Sequence, residues 1–159
     1  MLRISKLTDY ATVILAQLAA EPSRRLTAAQ LAAQTRLSAA TVSKLLKQMH
    51  HHSLVESTRG LRGGYRLARP AAEISAAQIL DALEGPVALT ECAGSASHCC
   101  IEKTCAVGRS WQRVNQAIRH ALTGITLLEL AGLAAATPFA LADHGRPPAV
   151  PIRPLPQNG

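Results

Sequence analysis

Aromatic side chains are nearly missing from this sequence of 159 residues, which has one Trp, two Tyr and one Phe. A core with so few rings has to be built from Leu, Ile, Val and Ala, which suits small packed helices. Long apolar runs are missing too. No window reaches the roughly 20 residues that a membrane-spanning helix requires. The opening Met1-Leu-Arg-Ile-Ser-Lys6 carries a charge where a secretion signal would be apolar. A cytoplasmic chain without a membrane partner is expected. Acids are scarce, ten against seventeen Lys and Arg, and the shortage sits at one end. Residues 1–70 hold eleven Lys and Arg with three acids, a formal +8, whereas residues 71–159 come to −1. A basic first half joined to a near-neutral remainder points to a polyanion-binding module with an appended control region. The sequence has no Ser-His-Asp set, paired carboxylates or Walker-type loop, so no enzyme is expected.

What is present is concentrated. All four cysteines fall within the fourteen residues from Cys92 to Cys105. Thiolates crowded in this way form either a disulfide knot or a metal-binding loop. A reducing cytoplasm favours metal, and a knot would staple only one short loop.

Around this stretch the chain reads as short helices and one hairpin. Thr8 is the expected N-cap of a first helix, with Asp9 in its first turn near the positive helix end. Tyr10, Val13, Ile14 and Leu18 follow helical spacing, and Glu21-Pro-Ser23 ends the run. Thr27 and Gln30 make a capping box for a second helix, Ala28 to about Gln34. After the tight turn Thr35-Arg-Leu37, Ser38 caps a third helix with its apolar stripe on Val42, Leu45, Leu46 and Met49. Ala40, Thr41, Lys44 and Lys47 occupy the opposite face. This is a helix-turn-helix pattern.

Strands over 54–58 and 65–67, joined by the glycine-rich turn Arg59-Gly-Leu-Arg62-Gly-Gly64, read as a wing carrying Arg59 and Arg62 at its tip. Ser75 and Gln78 form another capping box, for a helix stopped at Gly85-Pro86. Past the cysteines, Trp111, Val114, Ile118 and Leu122 make an apolar stripe on a helix from about Val107 to Leu122. Such a distal stripe suits pairing with a second copy. A short helix restarts after Gly124 and runs through Leu130, and the Ala- and Pro-rich remainder is expected to be disordered. His50, His51 and His52 fan around the end of the third helix and cannot converge on one metal.

Several of these stretches together resemble the iron–sulfur-dependent winged-helix repressors, which include the Isc-pathway regulator and the nitric-oxide-sensing repressor. Among these, the sequence is most similar to regulators of the SUF iron–sulfur assembly operon. The marks are Lys6-Leu-Thr-Asp-Tyr10, Gly60-Leu-Arg-Gly-Gly-Tyr65, Leu83-Glu-Gly-Pro86, the cysteine loop and Trp111-Gln-Arg-Val-Asn115. The resemblance covers about residues 1 to 131. It implies an iron–sulfur cluster, 2Fe-2S or 4Fe-4S, held by Cys92, Cys99 and Cys105, with Cys100 the alternative to Cys99.

The histidine that serves the Isc regulator three residues past its last cysteine is replaced here by Gly108. Asp9, matching the aspartate that the nitric-oxide sensor takes from its partner subunit, is the implied fourth ligand, with His98 as another candidate. Ser53 stands where the family usually ends the third helix with glycine, so a looser helix end is expected.

The resulting expectation is a mainly α protein. It has a winged helix-turn-helix DNA-binding domain over 1–86, a cluster-binding loop over 87–106, a dimerisation helix region over 107–132 and a tail over 133–159. Ser38, Ala39, Ala40 and Thr41 would face base edges of double-stranded DNA, while Lys44, Lys47, Arg59 and Arg62 supply phosphate and groove charge. The homodimer would read a pseudo-palindromic operator of SUF genes. Zinc in the same loop would instead give a colourless regulator, and a carrier of iron–sulfur clusters would have no use for DNA.

Overall fold

The computed structural model describes residues 4–60, 62–86 and 108–134. Helix α1 spans Lys6–Ala20, and Ser5 rather than Thr8 is its cap. Ser5 lies in extended backbone and accepts the Thr8 N–H on its hydroxyl at 3.2 Å. Thr8 itself is already helical and only 2% exposed. Its hydroxyl is turned to a distant carboxylate, so the expected cap is displaced by three residues. Asp9 stands in the first turn as anticipated, and it is exposed.

Helix α2, Ala28–Thr35, opens on the Thr27–Gln30 capping box. Arg36 turns the chain in a left-handed conformation, φ 57°. Helix α3, Ala39–His51, starts at Ser38. Val42, Leu45, Leu46 and Met49 are fully buried, against Ile14, Leu15 and Leu18 of α1 and Leu31 of α2 in one apolar cluster. The end of α3 differs from expectation. Ser53 takes φ 56°, the region normally left to glycine. Ser53 N–H then reaches the His50 carbonyl at 3.1 Å and Leu54 N–H the Met49 carbonyl at 2.9 Å. The helix therefore closes tightly with a serine doing what glycine does elsewhere.

Strands β1, Val55–Thr58, and β2, Gly64–Leu67, pair antiparallel with Val55 opposite Leu67 and Thr58 opposite Gly64. Leu26, just before α2, bonds both ways with Tyr65, its N–H to the Tyr65 carbonyl at 2.9 Å and the reverse at 2.8 Å. This close approach explains the glycine at position 64. Its φ is 145°, and a Cβ there would stand 2.9 Å from the Leu26 carbonyl oxygen. At Gly63 a Cβ would collide with the Thr58 carbonyl.

After a 3-10 turn at Ala71–Glu73, helix α4, Ala76–Leu83, is capped by the Ser75–Gln78 box and ends at Glu84, with Gly85 at φ 87°. Helix α5 runs Gly108–Gly124, and helix α6, Leu127–Leu130, begins on its own Thr126–Glu129 capping box.

The last helix returns to the winged unit. Ala76 N–H bonds the Ile125 carbonyl at 2.8 Å, Leu127 N–H bonds the Ile74 carbonyl at 2.7 Å, and Leu127 is fully buried. Helix α5 lies against α4 through a two-pronged pair, in which the Arg119 guanidinium meets the two Asp81 oxygens at 3.0 and 2.6 Å. Among the described residues, no helix is long and apolar enough to cross a membrane.

Candidate nucleic-acid interface and metal-ligand segment

Burying Val42, Leu45, Leu46 and Met49 leaves the other side of α3 to solvent by helical geometry. Ala39, Ala40, Lys44 and Lys47 are exposed on that side. Ser38 and Thr41 are partly committed to the cap. Ser38 Oγ accepts Thr41 N–H at 3.2 Å, and the two hydroxyl oxygens are 2.8 Å apart. Thr41 is half-buried. Of the four positions expected to face bases, Ala39 and Ala40 therefore present the freer surface, while the two hydroxyls keep only their remaining hydrogen-bonding capacity.

Arg59 and Arg62 are exposed in the turn of the wing. The base of the same wing is partly neutralised, because Glu56 takes both Arg66 and Arg25, the latter at 3.4 Å. The Arg66 hydrogen bond, aided by Arg25, holds the Glu56 carboxyl below the usual carboxylate range. Lys44, Lys47, Arg59 and Arg62, by contrast, have no ion pair among the described residues. Unpaired cations on a helix face and a hairpin tip form the electrostatic footprint of a polyanion site. Arg36 belongs with them, and sequence reasoning passed over it. It is exposed in the turn ahead of α3 and has no ion pair among the described residues. Its place inside the helix-turn-helix turn was the available signal.

His50 has a different task from its neighbours. Its Nδ1 lies 3.1 Å from the Val55 carbonyl, tying the end of α3 to β1. The rings of His51 and His52 meet edge to face at 5.2 Å.

Cys92, Cys99, Cys100, Cys105 and His98 lie outside the described residues. Among the described residues, no three His, Cys, Asp or Glu side chains gather as a metal site. Asp9 is exposed and its carboxylate has no ion pair there, so its oxygens are open to a ligand role. The chemistry of the donor set fits iron or zinc, with three soft thiolates available in one short segment and a harder oxygen on α1. One set of contacts ties the end of α4 to α1, the helix of Asp9. Glu84, eight residues before Cys92, accepts Ser5 N–H at 2.8 Å and the Thr8 hydroxyl at 2.5 Å. The Thr8 bond first, and then the Ser5 N–H, hold the Glu84 carboxyl below its ordinary range.

Among the described residues, helix α5 leaves an apolar surface uncovered. Trp111 and Val114 are 44% and 43% exposed, and a shallow groove lined by Ser110, Arg113, Val114, Ala117 and His120 runs beside them.

Comparison with known proteins agrees with this arrangement. The family model Rrf2, described as an iron-dependent transcriptional regulator, matches residues 4–132. A Neisseria meningitidis protein named as an HTH-type transcriptional regulator is 37% identical over 91 residues, which span 57% of this chain and 61% of its own length. The structure of CymR, the global cysteine regulator of Bacillus subtilis, superposes with a TM-score of 0.65 at 27% identity, covering 85% of this chain and all of that one. The structure of IscR from T. potens gives 0.62 at 25% identity, covering 84% and 89%. These relatives are transcriptional regulators rather than enzymes, and the solved ones share the mainly helical, two-stranded winged-helix fold.

Proposed function

The chain belongs to the Rrf2 family of winged-helix transcriptional regulators, and from that premise we propose that it is a homodimeric, cytoplasmic repressor of SUF iron–sulfur assembly genes whose operator affinity is set by an iron–sulfur cluster. The observation that carries the reading is a pairing of features in one chain. An unpaired cationic face on α3 and the wing tip is joined, through α4, to four cysteines within fourteen residues. The likeness to CymR and to IscR is of similar quality, so backbone similarity does not choose between a cysteine-linked and an iron-linked regulator. The crowded thiols favour metal.

In this reading Lys44, Lys47, Arg59 and Arg62 neutralise phosphates, with affinity falling as salt rises. Ser38, Ala39, Ala40 and Thr41 meet base edges at the front of α3. The stripe of α5, exposed at Trp111 and Val114 and half-buried at Ile118 and Leu122, pairs two copies, which makes the operator a pseudo-palindrome. Cys92, Cys99 and Cys105 hold a 2Fe-2S or 4Fe-4S cluster, with Asp9 of the second copy as the fourth ligand. When bound, the cluster supplies iron–thiolate chemistry sensitive to oxidation and nitric oxide. Supply of clusters, or their damage, is then the input.

Anaerobic purification with absorption and Mössbauer spectra, alongside titration of DNA upstream of the SUF genes, tests the proposal. A brown protein whose DNA affinity changes on cluster loss is expected. A colourless, zinc-loaded protein would transfer the reading to a zinc regulator. Bound iron with no DNA binding in either state would leave a cluster carrier. For Asp9, an unchanged cluster spectrum and lifetime in Asp9→Ala would remove it as a ligand.

A further inference from the structure

Helix α4 ends against two other helices at once. Its last two carbonyls, those of Ala82 and Leu83, each accept a hydrogen bond from Gln48 Nε2 of α3 at 3.2 Å. The next residue, Glu84, receives Ser5 N–H and the Thr8 hydroxyl of α1. Beyond Pro86 the chain enters the stretch that carries all four cysteines. The final carbonyls of any helix lack intrahelical donors, and here a side chain of the recognition helix supplies them.

The bond is directional in a way that apolar packing is not. One amide nitrogen donates to two adjacent carbonyls, which fixes the half-buried Gln48 side chain. Hydrogen bonds tolerate little change of angle and length, whereas apolar surfaces can slide past each other. Among the described residues, these are the hydrogen bonds that join α3 to α4. Gln48 follows Lys47 and lies one turn past Lys44, on the flank of α3 that faces α4. It is thus linked to the cationic face without being part of it.

We propose that Gln48 is a positioning residue, through which the state of the cysteine segment reaches the recognition helix. When the last turn of α4 shifts, its two carbonyls carry the Gln48 amide with them or release it. Either way α3 settles differently, and Lys44 and Lys47 meet DNA at a different angle. The proposal rests on the cluster-sensing reading above. Glu84 leaves the same turn for α1, so a single turn addresses both the reading helix and the helix of Asp9.

The test measures operator Kd for the full chain in cluster-loaded and cluster-free forms. It compares wild type, Gln48→Met, which keeps the length and removes the donors, and Gln48→Lys, which keeps a donor. Couplings between sites commonly run from about 5- to 150-fold. A wild-type ratio in that range is expected to fall to within about twofold of one in Gln48→Met and to survive in Gln48→Lys. Iron content should match wild type in both variants. An undiminished ratio in Gln48→Met would overturn the proposal. A wild-type ratio of one with an intact cluster would instead sink the cluster-sensing reading.

Hydrogen exchange on wild-type, cluster-free protein examines the link without any variant. Linkage is reciprocal, so operator binding must change exchange of the amides from Ala82 to Gly85. Unaltered exchange there would also overturn the proposal, even if Gln48→Met failed to fold.

Discussion

The winged unit and helix α5 solve the problem of apolar surface in opposite ways. From Ser5 to Glu84 most large aliphatic side chains turn inward, with Leu15, Leu45, Leu46 and Met49 fully buried and, among the described residues, only Leu7 and Val13 of α1 left about 40% exposed. Helix α5 keeps Trp111, the bulkiest side chain of the sequence, 44% exposed, with Val114 beside it. The winged unit is finished by its own residues and α6. Helix α5 is left with that surface open among the described residues, and a second copy is the proposed cover. The lesson is that stability and assembly are carried by different side chains and can be altered separately.

Three substitutions set the two regions against each other. The largest effect is expected at Leu45→Ala, which should cost about 2–5 kcal/mol of folding stability in a urea titration, since it empties a fully enclosed site. A cost near zero there would mean that the winged unit is not the self-sufficient half. Next, Trp111→Glu should leave the helical circular-dichroism signal intact while driving the protein to monomer in sedimentation. Central interface aromatics typically contribute about 2 kcal/mol or more to association. A dimer that persisted would place the pairing surface elsewhere.

The smallest effect lies at the junction between the regions. Glu84 has a folded pKa below its ordinary 4.5, chiefly because of the Thr8 hydroxyl. Its hydrogen bonds therefore stabilise the fold above that ordinary value and are lost as pH falls through the lower folded one. Glu84→Gln should lower the melting temperature at neutral pH by the equivalent of less than about 1 kcal/mol, because water screens an exposed carboxylate. The gap to wild type should close in acid. A gap that widened on acidification would contradict the assigned hydrogen bonds.

What could be read from the sequence was local. Capping boxes at Thr27–Gln30 and Ser75–Gln78 are written within four residues, so they fixed the starts of α2 and α4. The α3 stripe and the wing turn were equally legible, because periodicity and glycine placement are properties of a short window. Thr8 was misjudged for the opposite reason. Its hydroxyl answers to Glu84, seventy-six residues away, and Ser5 takes over the cap. The pairing of Arg25 and Arg66 with Glu56 was hidden in the same way, since it depends on the strand and the α1–α2 connection meeting in space. The tight end of α3 was hidden because Ser53 gives no warning that it will take a glycine's conformation. Gln48 offers no motif at all. Its role appears only where α4 ends.

The return of the chain at Leu127 changes what α5 can do mechanically. A helix hanging from one end would trail, and a pull on it would dissipate in the joint. Because α5 is bolted to the body by Arg119 on Asp81 and again by the strand-like stitch between residues 74–76 and 125–127, it has the two fixings that a crank needs. Torque applied along it would reach α4 at its start and at Asp81, and the last carbonyls of that helix accept from Gln48 of α3.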